Sequence, residues 1–593
     1  MELKTYQKDV LKKISSYMKC LNDSTGIFSA WKKYWDEQDI SIGLDGVPAY
    51  KDTITGVPHV CAKVPTGGGK TYLGCAALKR IFDEMPTSKC KVVVWLVPSE
   101  PILNQTIKNL SDTNHPYRQK LEHDFAGRVG IYTKEMLLNG QNFSPDTVRE
   151  MLTVCILSYG SLRINNLNKD IRKVYQENGN LIRFAEYFKD KSVLLADTPD
   201  TALIQVLRSL SPVIIIDESH NAESELSIEM INNLNPSFIF DLTATPKNNS
   251  NIVSYVNARE LKKENMVKLP IIVYNRTSRQ SVIQDAIQLR GCIERQAIEA
   301  EKKGGAYIRP IVLFQAQPNI NAESETFDKI KKMLIAIGIP ENEIAIKTSE
   351  IDDLKKVDLL SKDCDIRYII TVNALKEGWD CPFAYILASL ANKTSKVDVE
   401  QIVGRILRQP YAREHKAPLL NSSFVLTCSA DFHSTLENIV RGLNNAGFSK
   451  KDFRVGTLKL TECEDTISNG EQETKFEQQE LFCAQEDSIV LGEKDSFEDI
   501  ATDEIKNIIG EIKDDPEKSV ADMITTAEKQ AEEYNTSIAD ADLSAFIGGE
   551  LGEMLNQNNI QEQYRETIGD IKIPQFYFQT TPDLFGNDFE LLE

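Results

Sequence analysis

The sequence lacks a long uninterrupted apolar run. No stretch of about 18 apolar residues is present that could cross a bilayer. The first ten residues carry charges from Glu2 onwards, without the apolar core and small-residue cleavage site of a secretory signal. Hydrophobic residues make up 41% and charged residues 26% of the chain, as in soluble globular proteins. We therefore expect a cytoplasmic protein with no membrane role.

Paired cysteines are also missing. The eleven cysteines stand singly, and no C-x-x-C pair is present. This spacing excludes the common zinc-ribbon and dithiol redox motifs. We expect most of these cysteines to be reduced packing residues.

A net basic charge, common in proteins that bind nucleic acids, is absent from the chain as a whole, which carries −20. The charge is unevenly distributed. Residues 461–593 contain 34 acidic and 8 basic residues, a net of −26, whereas residues 1–460 contain 54 acidic and 60 basic residues, a net of +6. The total therefore does not exclude a nucleic-acid groove in the front part.

Short, continuous apolar runs alternate with helical patterns and predict an α/β fold. Such runs are typical of parallel strands covered on both faces. At 593 residues the chain should hold roughly three or four domains. We predict a first lobe over 1–268 with an insertion at about 163–211, a second lobe over 269–460, and an acidic, partly helical or disordered region over 461–593. The predicted strands are 91–97, 213–216, 238–242, 311–314 and 368–372.

One amphipathic helix is predicted within the acidic region. It should begin after Pro516 with Ser519 as its cap, because apolar residues recur at three- and four-residue steps from Val520 to Tyr534. We interpret it as a helix that packs on the rest of the chain. The alternative is a helix dedicated to a partner.

A glycine-rich loop follows the predicted strand at 59–64 and opens a helix that should continue to about Met85. In such a loop, backbone N–H groups cradle phosphates, a lysine reaches the β- and γ-phosphate oxygens, and a threonine hydroxyl can hold Mg²⁺. Val64 stands where the strict pattern has its first glycine, so a plain glycine-rich turn is the alternative. The candidate nucleotide-binding residues are Thr66, Gly67, Gly68, Gly69, Lys70 and Thr71.

Two carboxylates and an imidazole follow the strand 213–216. Asp217 is placed to hold Mg²⁺, and Glu218 is placed to orient and deprotonate an attacking water molecule. His220 could suggest zinc, but no Cys or His stands nearby at ligand spacing, and oxygen ligands suit magnesium. Further on, Thr243 and Thr245 close another strand, where an ordinary Ser/Thr-rich loop is the alternative.

The predicted second lobe supplies a further polar set. Gly378 and Asp380 follow the strand 368–372. Gln401, Arg405 and Arg408 recur at helical spacing, so all three could project from one helical face. Arginines facing a bound γ-phosphate would stabilise charge in the transition state, whereas a solvated face is the alternative.

The ordered segments PTGGGKT, DESH, LTATP, EGWD and QIVGRILR resemble the motifs of superfamily 2 helicases and translocases. Within that superfamily, Tyr6-Gln7, Val97-Pro98-Ser99, AIKTSE at 345–350 and NALKEGWDCPFAYIL at 373–387 resemble the restriction subunit of type III restriction enzymes. The likeness covers about residues 3–409. It implies two RecA-like parallel-sheet lobes in tandem.

The resemblance also implies roles for individual residues. ATP would bind between the lobes, with Gln7 near the adenine and Lys70, Thr71, Asp217 and Glu218 around the phosphates and Mg²⁺. Coupling of the nucleotide site to the DNA groove would fall to His220, Thr243 and Thr245. Closure of the site from the second lobe would fall to Gly378, Asp380, Gln401, Arg405 and Arg408.

One departure from that family concerns its nuclease. The family has a P-D…[DE]-x-K site after the motor, but Pro582-Asp583 lies too near the end of the sequence for a downstream partner. Asp570-Ile571-Lys572 precedes it and lacks an upstream match. We therefore assign no cleavage to this polypeptide. Two explanations stay open: the nuclease is lost by truncation, or the chain works with a separate nuclease, methyltransferase or other defence-system subunit as a partner.

The expected function is an ATP-dependent DNA helicase or translocase motor, a nucleic-acid-stimulated ATPase, in a restriction-modification or phage-defence system. Two alternatives stay open: a complete restriction endonuclease with an unrecognised nuclease site, and an ATP-switched scaffold. Duplex DNA is favoured over RNA by family likeness alone, so RNA stays an alternative.

Overall fold

The computed structural model of the chain gives the fold of most residues before position 429 and of four short segments after it. The described residues are 2–43, 46–85, 90–162, 173–187, 194–196, 198–217, 225–246, 250–276, 278–316, 326–348, 350–355, 357–372, 379, 381–390, 406–428, 453–455, 516–539, 577–579 and 589–591.

The first lobe is built on a seven-stranded sheet whose neighbouring strands are all parallel. Its strands are β1 (His59–Lys63), β2 (Val92–Val97), β3 (Val129–Tyr132), β4 (Leu152–Ser158), β5 (Val213–Asp217), β6 (Phe238–Thr243) and β7 (Ile252–Tyr255). Their order across the sheet is β3-β4-β2-β5-β6-β1-β7. Every residue of β2, β4 and β5 is buried, because helices cover both faces of the sheet.

Twelve helices of the described chain belong to this part of the molecule. They are α1 (Thr5–Asn22), α2 (Ile27–Asp36), α3 (Lys70–Asp83), α4 (Glu100–Ser111), α5 (Pro116–Asp124), α6 (Lys134–Leu138), α7 (Pro145–Glu150), α8 (Tyr159–Leu162), α9 (Ile182–Tyr187), α10 (Leu203–Ser209), α11 (Glu225–Asn233) and α12 (Ala258–Lys263). Helices α9 and α10 lie in the predicted insertion. Phe184, Leu203 and Leu207 are buried in the same core as β4, so this half of the insertion packs as part of the lobe.

The second lobe repeats the arrangement with another parallel seven-stranded sheet. Its strands are β8 (Ile271–Asn275), β9 (Ile311–Gln315), β10 (Ile344–Lys347), β11 (Tyr368–Thr371), β12 (Ala384–Ser389), β13 (Ser423–Thr427) and β14 (Phe453–Val455), in the order β10-β11-β9-β12-β13-β8-β14. Helices α13 (Arg279–Lys302) and α14 (Thr326–Ala336) accompany it. The predicted fold, two RecA-like parallel-sheet lobes in tandem, is thereby confirmed.

The acidic region returns to the second lobe through helix α15 (Pro516–Ala539). Ala527, Ala531 and Tyr534 are buried, and Gln296 Nε2 on α13 donates a hydrogen bond to Glu528 Oε1 at 3.1 Å. The prediction of a packing helix is therefore confirmed. Its start is corrected: α15 begins at Pro516 rather than after a Ser519 cap, because proline suits the first helical position. A two-stranded antiparallel sheet, β15 (Tyr577–Gln579) and β16 (Phe589–Leu591), completes the described chain.

Candidate nucleotide-binding and catalytic site

The glycine-rich loop joins β1 to α3 and depends on glycine for its shape. Gly67 and Gly69 have φ angles of +86° and +70°, a left-handed conformation that costs other residues energy. A Cβ on Gly68 would lie 2.5 Å from Cγ1 of Val64, so the backbone must pass close to that side chain. Val64 itself is fully buried, and its N–H donates to the Thr243 carbonyl at 2.9 Å. Valine therefore replaces the first glycine of the usual pattern as a core residue.

The groups that follow the loop meet the end of a neighbouring strand. Thr71 Oγ1 donates a hydrogen bond to Asp217 Oδ2 at 2.9 Å, although 146 positions separate the two residues. Asp217 is the last residue of β5, and Lys70 is the first residue of the 14-residue helix α3. A hydroxyl and a carboxylate oxygen side by side are the hard ligands that Mg²⁺ prefers. Backbone N–H groups at the start of α3 favour phosphates. The residues therefore fit a Mg-nucleotide.

The first turn of α1 lies against the same loop. Tyr6 Oη donates to the Gly68 carbonyl at 2.8 Å, and Gln7 Nε2 donates to the same oxygen at 3.4 Å. The Lys4 N–H donates to Gln7 Oε1 at 3.0 Å, so both ends of this side chain are held. Burial raises the pKa of Tyr6 above its ordinary value, so this phenol stays protonated and keeps donating. Sequence reasoning missed Tyr6 as a residue that supports the loop.

Thr243 is the last residue of β6, and Thr245 follows it in the bend after that strand. Thr243 is fully buried, and its Oγ1 accepts a hydrogen bond from the Thr245 N–H at 3.1 Å. Because the Thr243 carbonyl also accepts a hydrogen bond from the Val64 N–H, the end of β6 is connected directly to the residue that leads from β1 into the loop. Their role in coupling stays a prediction.

Arg408 is far from the glycine-rich loop in sequence but lies beside it in the structure. It forms an antiparallel bridge with Val267 in the segment that joins the lobes. A Cβ on Gly67 would lie 3.2 Å from Val267 Cγ1 and 3.7 Å from Arg408 Cγ. The structure thus places Arg408, the last residue of the QIVGRILR segment, next to the candidate phosphate site.

The prediction that Arg408 projects from a helical face is wrong. The chain is extended at this residue, since Lys268 N–H donates to the Leu407 carbonyl at 2.6 Å and Gln409 N–H to the Met266 carbonyl at 3.0 Å. These hydrogen bonds to the segment between the lobes replace those of a helix.

The other predicted site residues fall in segments that lie outside the described chain. They are Glu218, His220, Gly378, Asp380, Gln401 and Arg405. Of the predicted set, the structure brings together Gln7, the loop 66–71, Asp217, Thr243, Thr245 and Arg408.

Comparison with known proteins gives a family and several solved structures. Residues 1–248 match the family described as "Type III restriction enzyme, res subunit". No curated protein matches the chain. The DNA-bound ATP-dependent type ISP restriction-modification enzyme LlaBIII is 15% identical with a TM-score of 0.42, and the match covers 77% of this chain and 31% of LlaBIII. This chain therefore spans less than a third of LlaBIII.

Two helicases are similar at a comparable level. Mss116p, in a structure with single-stranded RNA and AMP-PNP, is 12% identical with a TM-score of 0.37, covering 95% of this chain and 93% of that one. Mycobacterium smegmatis helicase Lhr, bound to single-stranded DNA and AMP-PNP, is 13% identical with a TM-score of 0.35, covering 71% of this chain and 50% of that one. The similarity to the res subunit of type III restriction enzymes thus covers residues 1–248, which include most of the first parallel-sheet lobe but not the second.

Proposed function

We propose that the chain is a nucleic-acid-stimulated ATPase that works as a DNA helicase or translocase motor. The observation that carries the proposal is the convergence at the glycine-rich loop. Thr71 and Asp217 meet beside the loop at 2.9 Å, while Arg408 approaches Gly67 from the segment that joins the lobes. A nucleotide held there would contact groups whose positions depend on both lobes.

The residues have distinct roles in hydrolysis. Lys70 contacts the β- and γ-phosphates, and Thr71 and Asp217 would hold Mg²⁺, which would neutralise charge on the phosphate oxygens. Glu218 takes a proton from the water that attacks the γ-phosphorus, so the bond to the ADP oxygen breaks and ADP and phosphate are released. Arg405 and Arg408 stabilise the charge that spreads over the transferred group.

The remaining predicted residues bind the nucleotide or couple its site to the nucleic acid. Gln7 contacts the adenine, and His220, Thr243 and Thr245 couple the site to the nucleic acid. Gly378, Asp380 and Gln401 complete the site from the second lobe.

The substrate that we propose is duplex DNA gripped mainly through its phosphates, which makes movement tolerant of sequence. Closure of the lobes on ATP and reopening after hydrolysis would advance the strand stepwise. We further propose that the chain works in a restriction or phage-defence system with a nuclease or methyltransferase partner.

Among the described residues, no helix combines the length and apolar character needed to cross a membrane.

The test is ATP turnover with and without duplex DNA, single-stranded DNA and RNA. Lys70→Ala and Glu218→Gln should each reduce stimulated turnover to background, but Glu218→Gln should still bind ATP because it alters water activation more than phosphate contacts. Lys79→Ala is the matched control for Lys70, since Lys79 lies on α3 and pairs at the surface with Asp83. It should turn over normally.

Each alternative predicts a different result. Full hydrolysis by Lys70→Ala or Glu218→Gln would refute the site. Metal-dependent DNA cutting by the purified chain would favour the complete endonuclease. Nucleotide-dependent binding of a partner, without stimulation by any nucleic acid, would favour the scaffold.

A further inference from the structure

A buried cluster of hydrogen bonds begins directly after Arg408. The next residue, Gln409, is buried, and its Nε2 donates to Asn421 Oδ1 at 2.7 Å, the shortest of three hydrogen bonds that this nitrogen makes. Gln409 Oε1 has no hydrogen-bond partner in the described part of the chain. The amide nitrogen therefore holds this side chain, and Asn421 is its nearest acceptor.

Asn421 also closes the loop that separates it from Gln409. Its Oδ1 accepts a second hydrogen bond, from the His415 N–H at 2.9 Å, and its Nδ2 donates to the His415 carbonyl at 2.6 Å. An asparagine can make this pair of bonds because its amide offers an acceptor and a donor side by side. One buried side chain thus connects the residue after Arg408 to the middle of the loop.

The backbone of Asn421 connects the same cluster to the first lobe. Lys262 Nζ on α12 donates to the Asn421 carbonyl at 2.9 Å. Asn421 is also the last residue of a short 3₁₀ helix, Pro418–Asn421, and α15 packs against this helix. The segment that anchors Gln409 is therefore in contact with the first lobe and with the C-terminal helix.

We propose that Asn421 is a positioning residue for Arg408: by holding Gln409, it keeps the Arg408 side chain beside Gly67 of the glycine-rich loop. The inference rests on the proposed ATPase function, in which Arg408 stabilises charge on the transferred phosphate. Asn421 acts through Gln409 and not on the nucleotide. Without it, the buried Gln409 amide loses its shortest hydrogen bond, so the chain at Arg408 shifts to find another partner.

The experiment measures steady-state ATP turnover of the full chain, with the nucleic acid that stimulates it, together with melting temperature. Asn421→Ala should lower kcat about tenfold with little change in KM for ATP, since a small displacement of a catalytic group is costly while the glycine-rich loop is unaltered. In an Arg408→Ala background the same substitution should change kcat by less than about twofold, because the side chain that it positions is gone.

Asn251→Ala is the matched control. Asn251 is 4% exposed, against 8% for Asn421, and its side chain joins Lys51 to His59 at the start of β1, at the other end of that strand from the glycine-rich loop. It should lower the melting temperature comparably and leave kcat unchanged. Equal losses of kcat in the two variants would show that Asn421 acts through stability alone, and the inference would fail.

Gln409→Met is the second variant, and it decides the question if Asn421→Ala does not fold. It removes the other partner of the same hydrogen bond and leaves the bonds between Asn421 and His415 in place. It should reproduce the loss of kcat and the absence of a further effect in the Arg408→Ala background.

The remaining outcomes separate this inference from the proposed function. Normal turnover in Asn421→Ala, or a loss of kcat that multiplies with the loss in Arg408→Ala, would overturn the inference and leave the motor function standing. Normal turnover in Arg408→Ala would remove the role of Arg408 and the inference with it. If the unaltered chain hydrolyses no ATP, the proposed function itself fails.

Discussion

Arg408 lies between the glycine-rich loop of the first lobe and the segment that joins the two lobes. Its backbone pairs with Val267 and its side chain passes Gly67. Arg408→Ala should lower kcat for ATP by at least about 100-fold, as expected when a charge-stabilising group is lost from a reacting phosphate. We expect the same for Arg405→Ala. ATP affinity should change much less, because the phosphate loop remains.

Arg413→Ala is the matched control for this prediction. Arg413 lies five residues further on, is exposed, and packs over the Tyr411 ring at 6.0 Å. Steady-state kinetics of the three variants should separate them clearly. Turnover at the unaltered rate in both Arg405→Ala and Arg408→Ala would place these side chains on a solvated surface.

For the candidate site, the sequence was sufficient to choose the chemically important residues but not to predict their contacts with distant segments. The glycine-rich loop, Asp217 and the arginine could be chosen from the sequence because their chemistry and order are distinctive. The contact of Tyr6 with Gly68 spans 62 positions, and the pairing of Arg408 with Val267 spans more than twice that. Neither of these two contacts produces a pattern in the sequence near the residues involved. Helical spacing therefore gave the wrong conformation for Arg408, since hydrogen bonds to a distant segment decide it.

The segment Met266–Lys268 is the element that holds Arg408 in place. The Lys268 side chain is fully buried, and its Nζ donates to the carbonyls of Pro382 at 2.8 Å and Ala384 at 2.6 Å. The ammonium also lies 3.9 Å from the centre of the Tyr385 ring. Because the Lys268 N–H donates to the Leu407 carbonyl, the interior of the second lobe is connected to Arg408 through one residue.

Lys268→Met should lower both thermal stability and turnover. It leaves the buried Ala384 carbonyl without this donor, at a cost of about 1–3 kcal/mol, and removes the part-buried hydrogen bond to the Pro382 carbonyl as well. The shift of the Arg408 segment should reduce kcat at least about tenfold with little effect on KM for ATP, since small misplacements of catalytic groups are costly. Melting temperature and initial rates below melting measure the two effects.

Arg309→Met provides the matched control for Lys268. Arg309 is 1% exposed and satisfies the carbonyls of Leu359, Ser361 and Ile366 in the same lobe, away from the segment that pairs with Arg408. It should lower the melting temperature comparably and leave kcat unchanged. An equal loss of kcat in both variants would reduce Lys268 to an ordinary stabilising residue.

Elements with continuous apolar sequence were predictable, and mixed or short ones were not. The predicted strands 91–97, 213–216 and 311–314 agree with β2, β5 and β9 to within a residue or two. Strand β3, by contrast, has only four residues, and two of them are half-buried. It is stabilised by pairing with β4 rather than by its own pattern, so it becomes visible only when the sheet is assembled.

The charge asymmetry of the whole molecule leads to a prediction about DNA affinity. Residues 461–593 carry −26 on the same chain as a front part that must hold a polyanion if the motor proposal is right. We expect this charge to compete with DNA for basic surface in a salt-sensitive way. Replacing Asp and Glu by Asn and Gln within residues 461–515 should then tighten DNA binding at low salt, and the gain should fade as salt rises.

This change is a sharper test than deletion of residues 461–593. Deletion would also remove α15, whose buried Tyr534 belongs to the core of the second lobe, so stability and affinity would change together. The neutralised chain keeps that helix. Melting temperature serves as the control, and an affinity that stays unchanged from low to high salt would exclude the competition.

The return of α15 to the second lobe has a further physical consequence. The 60 residues between Val455 and Pro516 are preceded by β14, which pairs with β8, and followed by α15, which packs on α13. Both ends of this acidic stretch are therefore attached to one lobe. Any competition between it and DNA is intramolecular, and its effective concentration is set by the length of the tether rather than by the amount of protein. Dilution of the protein would leave such competition unchanged.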